Sequence, residues 1–142
     1  MAEVSATQRN QKFIELLSAY HSIMGNNSEL SRISIEMAVS VVSFYKWLTE
    51  TKKEFIMSKQ ILRCGTSIGA NIHEAYYASS KADFINKMQI ALKEASETEY
   101  WLIVLERTDF FDAQFYNVKQ YCDSLKRMLT STLNTAKSSA SI

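Results

Sequence analysis

Apolar side chains recur along most of this chain at intervals of three and four residues, the spacing that gathers them on one face of an α-helix. The most regular run is Phe84, Met88, Ala91, Ala95, Thr98, Leu102 and Leu105, which steps 4-3-4-3-4-3. A period near 3.5 is that of helices supercoiled side by side. It predicts a helix from Lys81 to Glu106, roughly 39 Å long at 1.5 Å per residue. Just before it, Ser80-Lys81-Ala82-Asp83 offers a serine N-cap with an acid three residues on, the pattern of a capping box. Phe115, Val118, Cys122, Leu125 and Leu129 repeat the spacing and predict a last helix. The turn before it is Arg107-Thr108-Asp109-Phe110-Phe111, with Asp112 as the cap. After Ala136 the tail is expected to fray.

Two further helices read the same way upstream. Ile33, Met37, Val41, Phe44 and Leu48 form one stripe from Leu30 to Thr49, and Ile61, Gly65, Ile68, Ile72 and Ala75 form another within Phe55 to Ser79. The polar stretch Thr49 to Glu54 separates them as a turn. Gln8 to Met24 carries Phe13, Leu16, Leu17, Tyr20 and Met24 at helical spacing, and Gly25-Asn26-Asn27-Ser28 follows as a breaker cluster. Residues 1–28 therefore read as an N-terminal extension, a short helix plus a turn, and residues 29–138 as one domain. No segment has the alternation of a strand. Short connections force successive helices to lie antiparallel, so the expected fold is all-α: an antiparallel up-down-up-down four-helix bundle with an N-terminal extension.

Composition narrows the function classes. The 142 residues are one domain's worth, and the complete absence of proline permits long uninterrupted helices. Sixteen basic and fifteen acidic residues give a net charge of +1, so no global field attracts a polyanion. Cys64 and Cys122 match no metal or redox spacing and read as buried thiols of a reducing cytoplasm. The Met-Ala-Glu-Val start has no signal-peptide character, and no apolar run is long enough to span a membrane.

Two of the three glycines, Gly65 and Gly69, lie with Thr66 and Ser67 in what could be a phosphate-binding loop. Such a loop needs a preceding strand and a Gly-Lys-Ser/Thr, and both are missing. Inside a helix each glycine costs ~1 kcal/mol against alanine, which implies a compensating role. With Cys64, Ser67 and Ala70 they make a small-residue patch against which another helix can pack closely.

Arg63, Ser67, Asn71 and Glu74 step 4-4-3 along the same helix, and the next helix adds Lys87, Lys93, Glu94, Glu97 and Glu99. These residues form either a functional polar groove or a solvated, ion-paired face, and the paired face is the favoured reading because helical charge runs usually pair or face water. A di-iron bundle needs Glu-x-x-His on two helices. The chain has only His21 and His73, with Ser18 and Ala70 three residues before them, so no metal or cofactor site is expected. Nothing organises a nucleophile around either histidine, so no catalytic residue is expected. Off the main stripe of the third bundle helix, Ile85, Leu92, Trp101 and Val104 supply a second apolar surface, and Tyr100 adjoins it. A helix apolar on more than one face meets a second partner, which predicts a subunit interface.

The residues Gln60, Arg63, Gly65-Thr66-Ser67-Ile68, Ala70-Asn71-Ile72, Glu74-Ala75, Ser80-Lys81, Asp83-Phe84, Lys87, Ala91-Leu92-Lys93-Glu94, Glu97-Thr98 and Tyr100-Trp101-Leu102 carry a resemblance to a known family. The chain closely resembles the bacterial four-helix bundle proteins, also called 23S rRNA intervening-sequence proteins, over residues 29–138 and most specifically over 59–105. The resemblance implies a ring-shaped homopentamer of antiparallel four-helix bundles. It implies no established molecular role. The accessory variability determinants of diversity-generating retroelements form a related pentameric group, strongly basic and nucleic-acid-binding. The near-neutral charge of this chain departs from them.

Three functional readings follow, in order. The first is a non-enzymatic oligomeric scaffold that engages another macromolecule, RNA being one candidate. The second is a nucleic-acid-binding module with Lys52, Lys53, Lys59, Lys126 and Arg127 as candidate phosphate contacts. The third is a small-molecule binder or enzyme using Arg63, Asn71 and Glu74.

Overall fold

The computed structural model of the chain describes residues 5–138, and within them leaves out the side chains of residue 13 and of residues 16–28. Four α-helices follow one another: α1 (Ala6–Glu50), α2 (Met57–Ala75), α3 (Lys81–Arg107) and α4 (Tyr116–Ser138), with a single 3₁₀ turn, Ala113–Phe115, leading into α4. The described residues contain no strand, so the fold is all-α.

The break expected at Gly25-Asn26-Asn27-Ser28 is absent. α1 runs through it as one helix of 45 residues, so there is no short helix followed by a turn. With no proline in the segment, the helix loses only the propensity deficit of one glycine and three polar residues, each ~1 kcal/mol or less. The helix start lies instead at Ser5, whose hydroxyl accepts the Gln8 N–H while the Gln8 side chain accepts the Ser5 N–H, a reciprocal capping box. The apolar stripe expected at Phe13, Leu16, Leu17, Tyr20 and Met24 lies outside the described side chains. The fraying tail lies outside the described residues beyond Ser138.

The other boundaries show how local chemistry ends each helix. α2 begins at Met57, two residues later than expected, because Ile56 at its N-cap carries no capping group. The Glu54 carboxylate takes over, accepting the N–H groups of Ile56, Met57 and Ser58. Lys53, in the left-handed region at φ 53°, turns the chain so that the Glu54 N–H reaches the Leu48 carbonyl. Ser80 caps α3 as expected, accepting the Asp83 N–H, but the Asp83 carboxylate returns to the N–H of Ser79 rather than of Ser80. α3 ends in a Schellman motif. Asp109 sits at φ 64° and the Phe110 N–H bonds the Leu105 carbonyl at 2.8 Å. Asp112 caps the 3₁₀ turn by accepting the Gln114 N–H.

α1 packs on α2 and α4, and α3 packs on the same two helices. Cross-contacts fix the directions. Gly65 meets Val41 while Gly69 meets Ser34. Arg63 pairs with Glu94 and Glu97 while Glu74 pairs with Lys87. Glu106 pairs with Lys119 while Glu99 pairs with Lys126. In each set one number rises as the other falls, so these neighbours run antiparallel.

The core stripes of α3 and α4 are those expected from spacing: Phe84, Met88, Ala91, Ala95, Thr98, Leu102 and Leu105 on one, Phe115, Val118, Cys122, Leu125 and Leu129 on the next, all buried. On α1 the buried stripe is Leu30, Ser34, Met37, Val41, Phe44 and Leu48, with Ser34 where Ile33 was expected. The reason is the close approach of α2. A Cβ on Gly69 would lie 3.1 Å from the Ser34 hydroxyl oxygen, and one on Gly65 would lie 2.9 Å from a Val41 methyl. A larger side chain at position 34 would push the helices apart. The buried Ser34 hydroxyl is satisfied by donating to the Ser31 carbonyl at 2.7 Å. The glycines are therefore packing residues inside α2. At the opposite end of α1, Phe44, Trp47, Phe111 and Phe115 lock the helices through ring contacts 5.0–6.1 Å between centroids.

Candidate functional site

The polar residues singled out on α2 and α3 meet as two ion-paired clusters. Arg63, half-exposed, reaches both Glu94 and Glu97 on α3. Its hydrogen bond to Glu97 raises the guanidinium's affinity for its proton, and the same bond holds the Glu97 carboxyl below the usual carboxylate range. The buried indole N–H of Trp101 makes no hydrogen bond of ordinary geometry, though it lies near enough to Glu97 to favour the ionised carboxylate. Two to three turns along, Glu74 pairs with Lys87 at 2.9 Å, a contact that raises the Lys87 pKa. Between the clusters, the Ser67 hydroxyl donates to the Arg63 carbonyl and the Asn71 amide to the Ser67 carbonyl, both within α2. Apart from Lys93, which is exposed, each polar group expected to line a groove thus has a partner within the chain, and the two clusters tie α2 to α3.

The five candidate phosphate contacts separate. Lys52, Lys53 and Lys59 are exposed at the α1–α2 turn, where Lys52 lies over the Trp47 ring at 5.5 Å, and Glu50 is exposed close by. Phe55 and Ile56 project from the same turn. Lys126 and Arg127 lie ~16 Å along α4 from Phe115, at 1.5 Å per residue. There Lys126 bonds Glu99 at 2.8 Å and Arg127 faces Asp123 at 3.6 Å.

Both cysteines are buried thiols. Desolvation pushes Cys64 up and pushes Cys122 up to about 12, so neither is a ready nucleophile. Among the described residues no group of three or more His, Cys, Asp and Glu could hold a metal ion. No helix of the described residues is long and apolar enough to cross a membrane.

The apolar surface expected on α3 is redistributed. Ile85, Leu92 and Trp101 are partly buried against this chain's own core, and Val104 is half-buried. A helix with neighbours on both sides needs apolar residues beyond its central stripe, so these four residues do not by themselves require a second subunit. The exposed apolar residues lie elsewhere. Ile35 and Val39 on α1 are each 59% exposed, and Val42 follows one turn on. Ile35 and Val39 border a groove of ≈ 250 Å³ between α1 and α2, lined also by Ser34, Ala38, Gly69 and Ala70, in which His73 is the one titratable lining residue. The His73 ring contacts Tyr77, which is 81% exposed. Across the molecule, Tyr100 and Ile103 of α3 and Tyr116 of α4 stand out beside a cleft of ≈ 330 Å³. The spacing of Ile35, Val39 and Val42, four and three residues apart beside the core stripe of α1, was the available sequence signal for the first of these faces.

Comparison with known proteins adds a family and a solved structure. The family described as 23S rRNA-intervening sequence protein matches residues 26–131. A crystal structure of a protein of unknown function from the S23 ribosomal protein family of Bacteroides thetaiotaomicron VPI-5482 is 49% identical, with a TM-score of 0.74, over 77% of this chain and 98% of that one. No curated protein matches.

Proposed function

This chain belongs to the 23S rRNA-intervening sequence protein family, and from that premise we propose that it is a non-enzymatic, homo-oligomeric scaffold of the bacterial cytoplasm. Its unit is an antiparallel up-down-up-down four-helix bundle, its copies join in a ring, five in number by the resemblance, and the ring engages another macromolecule. The observation that carries this reading is the contrast between the two kinds of surface. The clustered charges on α2, α3 and α4 are consumed in ion pairs within the chain. The groove between α1 and α2 is bordered by Ile35 and Val39, with no Asp, Glu, Lys or Arg in its lining. Exposed apolar faces of this kind mark interaction sites. Two buried unpaired thiols suit a reducing compartment.

Native mass spectrometry of protein purified without nuclease, at low salt, tests the reading. A discrete multiple of the 16.2 kDa chain, five for the ring, supports it. A bare monomer at micromolar concentration refutes it.

One observation favours a second reading, nucleic-acid binding at the α1–α2 turn. Lys52, Lys53 and Lys59 are exposed there beside Phe55, while the neighbouring Glu54 carboxylate is turned into the helix N-terminus. Heterogeneous mass that nuclease removes, with affinity falling steeply as salt rises, would move this reading to first place.

A further inference from the structure

Two rules of local structure are broken at the α1–α2 turn. Lys53 sits in the left-handed region at φ 53°, where glycine or asparagine is the ordinary occupant. Ile56 holds the N-cap position of α2, where Ser, Thr, Asp or Asn is preferred and an isoleucine ranks among the poorest. The Glu54 carboxylate caps the helix in its place. Position 56 is thereby free to carry an apolar side chain, yet that side chain packs on nothing in this chain. Ile56 is 78% exposed and its neighbour Phe55 53%, and neither lies against the core. Local rules broken together, with no gain inside the fold, mark a functional position.

The charges around these two side chains differ from those on the helix faces. Lys52 and Lys53 precede them in the turn, and Lys59 lies three residues beyond Ile56, on the same side of α2. Among the described residues no carboxylate pairs with any of the three, whereas Lys87, Lys119 and Lys126 are all paired. Of the two acids in the segment, Glu50 is exposed and Glu54 faces the N–H groups it caps. The α3–α4 turn, at the same end of the bundle, carries Arg107, Asp109 and Asp112, and no large apolar side chain is exposed within residues 107–115. From this juxtaposition of an outward Phe55–Ile56 pair with three unpaired lysines we propose that the α1–α2 turn docks on an anionic lipid surface. Phe55 and Ile56 enter the boundary between headgroups and acyl chains, and Lys52, Lys53 and Lys59 stay at the anionic headgroups. The same lysines carry the nucleic-acid reading above, and Ile56 separates the two, because an aliphatic side chain has no ring to stack on a base. The proposal does not depend on how many copies of the chain assemble.

The test is co-sedimentation of the full chain with vesicles of phosphatidylcholine alone and of phosphatidylcholine with an equal part of phosphatidylglycerol. Wild type is expected to sediment with the anionic vesicles at low salt, to stay behind with the neutral ones, and to be released as salt screens the lysines. Phe55→Ser and Ile56→Ser are each expected to weaken binding roughly tenfold. Lys53→Gln and Lys59→Gln are each expected to weaken it roughly fivefold. Ile56→Ser also installs a preferred capping residue, so its urea midpoint is expected at or above that of wild type. Binding and stability then move in opposite directions, which a merely structural role for Ile56 would not produce. Wild type that sediments with neither vesicle overturns the proposal. So does anionic-vesicle binding that Phe55→Ser and Ile56→Ser leave intact, which would be charge attraction without insertion. A single-stranded RNA oligonucleotide is tested in parallel. Binding to it that needs the lysines but not Ile56, with no vesicle binding, overturns the proposal in favour of the nucleic-acid reading.

Discussion

The close approach of α1 and α2 makes Gly65→Ala informative. The added methyl would lie 2.9 Å and 3.0 Å from the two methyls of Val41, against an ordinary carbon–carbon contact of roughly 3.5–4.0 Å. Val41 is fully buried and β-branched, so one side-chain rotamer dominates in a helix and it cannot swing aside. The helices must separate instead. Overpacking of this kind costs ~1–3 kcal/mol, and the gain in helix propensity offsets ~1 kcal/mol of it. The net expectation is a loss of about 1 kcal/mol, or about 3 °C in Tm for a chain of 142 residues. Val41→Ala alone should cost ~1.5–3 kcal/mol in lost burial and cavity. In the double variant the new methyl occupies the space Val41 vacated, so the combined loss should fall short of the sum by ~1–2 kcal/mol. Urea unfolding followed by circular dichroism, at one fixed protein concentration because assembly shifts apparent stability, measures all four forms. A Gly65→Ala protein more stable by ~1 kcal/mol would mean that the glycine is only a propensity defect. Additivity within ~0.5 kcal/mol would mean that positions 41 and 65 do not compete for space.

Two further expectations concern titratable groups. Burial alone would push the Glu54 carboxyl up, but the N–H groups of Met57, Ser58 and Ile56 together hold it below its ordinary value. Its contribution is therefore present above the unfolded carboxyl's pKa and is lost as pH falls through the lowered folded value. Glu54→Ala should cost ~1 kcal/mol near neutral pH, as the loss of a helix cap does, and the difference from wild type in urea unfolding should shrink towards about pH 3. An equal difference at both pH values would exclude the ionised cap. Cys122 carries the opposite sign: its thiol is held neutral in the fold up to about 12, against 9.0 for the free group. Above about pH 9 the unfolded chain releases this proton and the folded one keeps it, so stability should decline with rising pH, and Cys122→Ala should flatten that decline. Native Cys122 that reacts with a thiol reagent as fast as unfolded protein would show that the core is open.

The helices were legible wherever a stripe of spacing alone decides burial. Each core position expected on α3 is buried, because that helix is flanked on both sides and its central stripe has nowhere else to go. Helix ends were legible where a side chain caps its own helix, as at Ser80 and Asp112, and were missed where the cap comes from elsewhere. Glu54 acts from within the turn, and Ser5 starts α1 far upstream of the glycine that looked like its boundary. Ser34 was illegible for a further reason. Only the presence of Gly69 on another helix makes a serine the residue that fits there.

The functional surface was harder to read because composition does not say which neighbour an apolar side chain meets. Tyr100 and Trp101 are adjacent and both aromatic, yet about 100° of helix rotation separates them. Trp101 turns towards α2 and packs on the core, while Tyr100 stays 57% exposed. The same holds for the charges. Arg63, Glu74, Lys87, Glu94 and Glu97 have the residue types of a binding groove, and their spacing allows one. What decides between groove and clip is the register of α2 against α3. That register puts each cation against a carboxylate. Exposed ion pairs of this kind contribute roughly 0–1 kcal/mol each, too little to hold the fold, yet enough to leave no open cation or carboxylate in those clusters. Their chemical effect is to occupy Arg63, Glu74, Lys87, Glu94 and Glu97 with one another. The groove between α1 and α2, by contrast, has no Asp, Glu, Lys or Arg in its lining.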